Sequence, residues 1–288
     1  MKYYDHNNNR PLNLELDGCA LADWDQLYGK ALFARHPKGF NIFLSPDKIG
    51  ASDEYSISDP YGIEKNIANE FHRRRIELTI DLVREAVSMI QGCPKILDLG
   101  CGQGHITGKM RQALNSAEFT GLDYSISAID YAHEHYPGID FTTGDAYESP
   151  YSPEYFDVVV CNNLWEHVPD PLFLLSRIYR ILKPGGFIIL STPSRYRLHN
   201  LFRVLIGKPV VFMSEHHVTE YSVGQVIEQL RHGHFHLRKV HSKPIQLSRI
   251  RAKLARRLIT MMISLVGSHH QLESTVFYLA QKINDVTE

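Results

Sequence analysis

Cysteine is scarce, with four in 288 residues. Cys19, Cys93, Cys101 and Cys161 have neither the paired spacing of a zinc site nor that of a stapled secreted domain. Free thiols in a reducing compartment are the expectation. Long apolar runs are also missing, and none reaches the length that spans a bilayer. Met1-Lys-Tyr-Tyr-Asp-His-Asn lacks the apolar centre of a secretory leader. Charge of one sign is lacking too, since 31 Lys and Arg face 32 Asp and Glu for a net −1. The chain as a whole is therefore not drawn to nucleic acid, although a local basic patch is compatible with that balance. These absences predict a soluble, cytoplasmic protein. The 43% of hydrophobic residues can bury one good core, with room for an added cap.

The most informative stretch is Lys95-Ile-Leu-Asp-Leu-Gly-Cys-Gly-Gln-Gly104. An apolar run ending in spaced glycines and followed by a helical pattern (Ile106, Met110 and Ala113 on one face) reads as strand, tight turn, helix. Glycine belongs where the backbone takes positive φ or must approach a ligand without a Cβ in the way. Dinucleotide enzymes use a similar turn, but Asp98 lies two residues before the first glycine and would repel a pyrophosphate. A cation without phosphates suits it better. A nicotinamide dehydrogenase is further disfavoured because position 105 is His, where the third glycine of that motif belongs. Next, Glu118-Phe-Thr-Gly-Leu-Asp123-Tyr124 reads as a strand ending in an acid 19 residues beyond Gly104, placed to accept hydrogen bonds from ribose hydroxyls or to cap the next helix.

The Asp98–glycine stretch resembles motif I of the S-adenosylmethionine-dependent class I methyltransferases, and further matches follow in that family's order. Ile139-Asp-Phe-Thr-Thr-Gly-Asp145-Ala146 is similar to its adenine-side segment. Tyr155 to Asn162 reads as a buried parallel strand. Leu182-Lys-Pro-Gly-Gly186 resembles a local signature of the family, and Thr275 to Ala280 its closing antiparallel strand. The resemblance implies an α/β fold: a Rossmann-like, doubly wound, mostly parallel seven-stranded sheet, with N-terminal and strand-five insertions forming a cap. It implies S-adenosyl-L-methionine as cofactor, held by Asp98, Gly100, Cys101, Gly102, Gly104, Asp123, Tyr124, Asp145, Ala146 and Asn162.

The chain divides into residues 1–65 and a methyltransferase domain over 66–288. The first part has little periodicity. Its aromatics Trp24, Tyr28, Phe33, Phe40 and Phe43 form either a lid over the site or a wrap along the sheet edge. Ile76, Ile80, Val83, Val87 and Ile90 then mark a one-faced helix. Residues 194–221 interrupt the strand–helix alternation and are the expected seat of acceptor specificity. A basic amphipathic segment over 246–266 reads either as a membrane-surface helix or as one packed on the sheet edge.

The donor in this family carries an activated methyl, so the protein positions the acceptor and, for a hydroxyl, removes its proton. Asn162-Asn-Leu-Trp-Glu-His167-Val-Pro-Asp-Pro171 resembles the Glu-His-Val-Pro-Asp-Pro stretch of ubiquinone-biosynthesis O-methyltransferases, and His167 is the candidate catalytic base. Related enzymes bind a divalent ion through Glu-x-x-Glu-His and a later histidine. Here Asn163 replaces the first carboxylate and His217 is the candidate later ligand, so no metal is assigned. His232, His234 and His236 are read as a solvated loop. The expected activity is O-methylation of a small molecule, a sugar or a lipid-linked intermediate, with peripheral contact at the inner membrane face through 246–266. The alternatives are a non-catalytic protein of this fold and a metal-assisted RNA 2′-O-methyltransferase. Exocyclic N-methylation of a base is disfavoured because Asn162-Asn-Leu-Trp165 lacks the prolines that shape that turn.

Overall fold

In the computed structural model, residues 2–49, 70–242 and 250–283 are described. The N-terminal segment contributes β1 (Tyr4–Asp5), β2 (Arg10–Pro11), β3 (Gly18–Ala20), the one-turn helix α1 (Trp24–Leu27), β4 (Phe33–Arg35) and β5 (Asn41–Ile42). The alternating part runs α2 (Glu70–Val87), β6 (Lys95–Leu99), α3 (His105–Ala113), β7 (Glu118–Asp123), α4 (Ile126–His135), β8 (Asp140–Thr143), β9 (Phe156–Asn162), α5 (Pro171–Ile181) and β10 (Leu182–Pro193). It ends with α6 (Leu198–Leu205), α7 (Val223–His232), β11 (Phe235–His241), α8 (Ile250–Leu265) and β12 (Thr275–Lys282).

Every residue of β9 is buried, and its side chains alternate between two layers. Val159 and Cys161 pack with Leu174, Ile178 and Val226 of α5 and α7. Val158 and Val160 pack with Leu82, Met110 and Ile129 of α2, α3 and α4. A strand buried on both faces belongs inside a parallel sheet covered by helices. The observed order is β11-β12-β10-β9-β6-β7-β8-β5-β4-β3. Strands β8-β7-β6-β9-β10 are parallel, and β12 closes the sheet antiparallel to β10. From β6 the chain winds one way through β7 and β8, then returns to β9 on the other side. That reversal opens a crevice at the carboxyl ends of β6 and β9, where such sheets bind ligands.

Among the described residues the sheet has ten strands rather than the expected seven: β6 to β12, and three more that the N-terminal segment adds beyond β8. Trp24, Phe33 and Phe40 are buried, and the Trp24 indole donates to Leu44 O (2.9 Å). These aromatics anchor a sheet extension, while Tyr28 is exposed. Residues 50–69, including the rest of the expected cap and the start of the expected domain at 66, lie outside the described residues. Two helix faces are rotated from the sequence reading. On α2 the buried face runs through Leu78, Thr79, Leu82, Val83 and Ala86, with Ile76, Ile80 and Val87 at its flanks. On α3 it is Thr107, Gly108 and Met110, with Ile106 and Ala113 half-buried. A step of three or four admits neighbouring faces when the apolar stripe is wide.

Candidate active site

The turn after β6 puts Gly100, Gly102 and Gly104 at φ of 77°, 51° and 76°. At Gly104 an added Cβ would come within 2.8 Å of Phe141 Cζ, so glycine is required by packing as well as by φ. Gly100 N and Cys101 N donate to Leu122 O on the neighbouring strand (2.8 and 3.1 Å). Gly102 N donates to Asp123 Oδ2 (2.7 Å), while Ser125 N donates to Oδ1 (3.0 Å). Asp123 thus ties the two turns together.

Asp98 is 2% exposed and accepts from Thr107 Oγ1 (2.6 Å). Burial raises its carboxyl to about 6, with Asp123 adding to the rise while Thr107 and Arg75 oppose it. Asn162 lies close by, because Asp98 pairs with Val160 across β6 and β9. Its Nδ2 donates to Thr79 Oγ1 (3.0 Å), whose own proton goes to Arg75 O (2.9 Å). That chain fixes the amide, and Asn162 Oδ1 is left buried without a hydrogen-bond partner. An orphan acceptor and a high-pKa acid at one crevice suit a ligand that carries a positive charge and N–H donors.

Asp145 caps the short turn over Ala146–Glu148 by accepting from Tyr147 N (2.9 Å), and it pairs with Lys48 Nζ at 3.0 Å. Ala146 and Tyr124 are half-buried beside these acids, as is Cys101, whose thiol burial pushes up. Lys48 comes from the N-terminal segment, so the far side of the crevice is built from two distant parts of the chain.

The loop after β9 packs on the glycine turn, with the Leu164 side chain 3.2 Å from where a Gly100 Cβ would stand. Asn163 sits at φ 51° and donates from Nδ2 to Glu166 Oε1 (3.0 Å). Its Oδ1 accepts from Arg75 Nη1 (3.3 Å) and Ser191 Oγ (3.1 Å). Glu166 is 1% exposed, accepts also from Thr192 Oγ1 (3.1 Å), and has its carboxyl raised by burial. Its backbone oxygen accepts from Val218 N (2.8 Å), which straps the 194–221 insertion onto this loop.

That strap brings His217 to His167, with ring centroids 5.1 Å apart at 87°. His167 Nδ1 bonds His216 O (3.2 Å), and a carbonyl can only accept, so the lone pair of the neutral ring is on Nε2. His217 Nδ1 bonds the fully buried Glu220 (2.9 Å), which leaves its Nε2 lone pair facing away from that carboxylate. Glu220 also takes Arg197 Nη1 at 2.5 Å. One ligand atom from each of Glu166, His167 and His217 lies within 4.8 Å of the others. Among the described residues, His232, His234 and His236 join no such cluster.

Asp98, Asp123 and Asn162 stand at the carboxyl ends of neighbouring strands, and the loop that bears His167 packs on the glycine turn through Leu164. Thr107, Arg75, Lys48 and Glu220 were not expected there. Glu220 had a signal, since it stands three residues after His217. Arg75 and Lys48 lie in segments whose patterns show nothing of the site.

Comparison with known proteins agrees with this geometry. Residues 97–190 match the family model described as a methyltransferase domain. The chain is 36% identical over 124 residues to a ubiquinone biosynthesis O-methyltransferase of Pseudomonas entomophila, covering 41% of this chain and 51% of that protein. Against the protein of the same description from Alkalilimnicola ehrlichii, it is 35% identical over 135 residues, covering 44% and 53%. The chain thus spans about half the length of the curated relatives it matches. Among solved structures, magnesium protoporphyrin IX methyltransferase from Synechocystis, with S-adenosylhomocysteine bound, superposes with a TM-score of 0.51 at 13% identity. That match covers 73% of this chain and 83% of the Synechocystis chain. The CurJ carbon methyltransferase also has a TM-score of 0.51, at 16% identity, over 73% of this chain and 54% of its own. Strand order, glycine turn and sequence match agree on a methyltransferase domain of Rossmann-like fold, matched over residues 97–190.

Proposed function

We propose that this protein transfers the methyl group of S-adenosylmethionine to an oxygen of a small molecule, a sugar or a lipid-linked intermediate. The observation that carries this reading is the pairing of a cation-suited cradle with His167 on the loop packed against it. Bound in the cradle, the cofactor supplies an activated methyl on a sulfonium. Asp98 and the Asn162 amide oxygen receive its ammonium, Asp123 its ribose, and the Asp145–Ala146 turn its adenine. Lys48 occupies one oxygen of Asp145 and steadies that turn. His167 takes the acceptor's hydroxyl proton on Nε2 as the oxygen attacks in line.

A second reading is favoured by the cluster of Glu166, His167 and His217. Two imidazoles and one carboxylate suit zinc, manganese or iron better than magnesium or calcium, which take mostly oxygen ligands. Asn163 keeps the carboxylate count at one. Glu220 behind His217 is the outer partner that orients a ligating imidazole. An ion held there would polarise the acceptor hydroxyl and ease loss of its proton.

The direct test is calorimetric titration with S-adenosylmethionine, S-adenosylhomocysteine and NAD. We expect the first two to bind and NAD not to. Binding of NAD alone would sink the assignment.

Asp98 gives that titration a pH signature. In the ligand-free protein its carboxyl is protonated below about pH 6. A cation beside it favours the ionised form and lowers its pKa, so binding releases a proton. Affinity should then weaken as pH falls through 6, by at most about tenfold per unit. Asp98→Asn should flatten the dependence. An affinity constant from pH 5 to 7 in the unaltered protein would remove Asp98 from the ammonium.

A further inference from the structure

Two apolar surfaces lie outside the site just described. On α6 and just past its end, Phe202, Val204, Leu205 and Ile206 are exposed, Leu205 by 78% and Ile206 by 67%. At the end of α8, Met261, Met262, Leu265 and Val266 are exposed, the last two by 78% each. Single exposed apolar residues are ordinary, whereas runs of this kind mark contact with a partner or a membrane.

The topology places both at one end of the molecule. Helix α6 begins five residues after Pro193 ends β10, and α8 ends ten residues before Thr275 opens β12. Pro193 and Thr275 are register partners. The segments are tied by Ser194 N to Ser274 O (2.8 Å), Leu198 N to Leu272 O (2.9 Å) and the His270 ring to Tyr196 O (3.1 Å). This end of the sheet carries the cradle and His167. Val211, Phe212 and Met213, exposed beyond α6, lead into the strand of chain that bears His217.

Charge narrows the choice of partner. No Asp or Glu occurs between Asp170 and Glu215, or between Glu228 and Glu273. Arg203 and Lys208 flank the first surface, and Arg257 is exposed on α8. A second copy docked here would set like charges against each other. An anionic bilayer accepts the apolar side chains into its headgroup boundary and attracts the cations. Among the described residues, no helix is long and apolar enough to cross a membrane, so contact would lie in the surface plane. Arg249 and the rest of 246–249 lie outside the described residues.

We infer that α6, the 211–213 turn and α8 together seat the protein on an anionic lipid surface, with the mouth of the site turned to the lipid. The docking stands on the exposed surfaces alone. That the acceptor is a lipid-borne amphiphile rests also on the methyl-transfer reading.

The test is co-sedimentation of the full chain with phosphatidylcholine vesicles, with and without phosphatidylglycerol. We expect binding to the anionic vesicles, weakened by added salt. Leu205→Glu/Ile206→Glu and Leu265→Glu/Val266→Glu should each reduce it by about tenfold or more, with S-adenosylmethionine affinity unchanged. No binding by the unaltered protein, or binding that both double variants retain, would overturn the inference. So would a dimer, seen by light scattering, that either variant dissociates while vesicles are ignored. Vesicle binding by a protein that does not bind S-adenosylmethionine would instead refute the reading of the site and leave the docking intact.

Discussion

Replacing His167 with asparagine should lower kcat by on the order of 10²- to 10⁴-fold while leaving the affinity for S-adenosylmethionine within about twofold. The split follows from where His167 sits. The cradle is made of β6, β7, β8 and the end of β9, and His167 comes from the loop beyond, with Nδ1 held by His216 O. The same experiment separates a base from a metal ligand. For a base, chelators leave the unaltered enzyme active and its rate falls with acid as the imidazole protonates. For a ligand, chelation mimics the substitution, and manganese or zinc restores the unaltered protein but not the variant. An unchanged kcat would dismiss both roles.

The second large effect concerns Glu220, which touches neither cradle nor acceptor. Its side chain is fully buried and holds Arg197, itself 7% exposed, together with the His217 ring and the Met213 backbone N–H. Glu220→Gln removes the charge that compensates a buried guanidinium. Breaking such a pair from one side costs about 3–5 kcal/mol, a fall in Tm on the order of 10 °C. Leu at both 197 and 220 should recover part of that stability, because an apolar replacement leaves no charge stranded. Neither variant should keep His217 in its orientation, so any bound divalent ion should be held more weakly in both. Thermal unfolding followed by circular dichroism reads the first effect, and metal titration the second. A Glu220→Gln protein as stable as the parent would mean that Arg197 reaches water.

The parallel sheet was legible because its strands are short apolar runs that stop at glycines or acids. Asp98, Asp123 and Asp145 each stand at or just past such a stop, so strand order alone gathers them at one end. Strands β3, β4 and β5 were not legible, since two or three residues are too few to display alternation. Arg75 and Lys48 were hidden for another reason. A long cation in an amphipathic helix or an irregular segment looks the same whether it faces water or a crevice, and only the packing decides. His217 could be named from the family pattern. Its approach to Glu166 depends on one backbone bond, Val218 N to Glu166 O, which no side-chain pattern encodes.

The three strands added beyond β8 also set a timetable. Ile42 pairs with Thr143, about 100 residues further along. At roughly 5–20 residues per second, β5 leaves the ribosome about 5–20 s before its partner is synthesised. Over that interval Phe33, Phe40 and Trp24, all buried in the finished protein, have no sheet to pack on. The segment is translated early and docks late, so chaperones have a window on these aromatics in every molecule made.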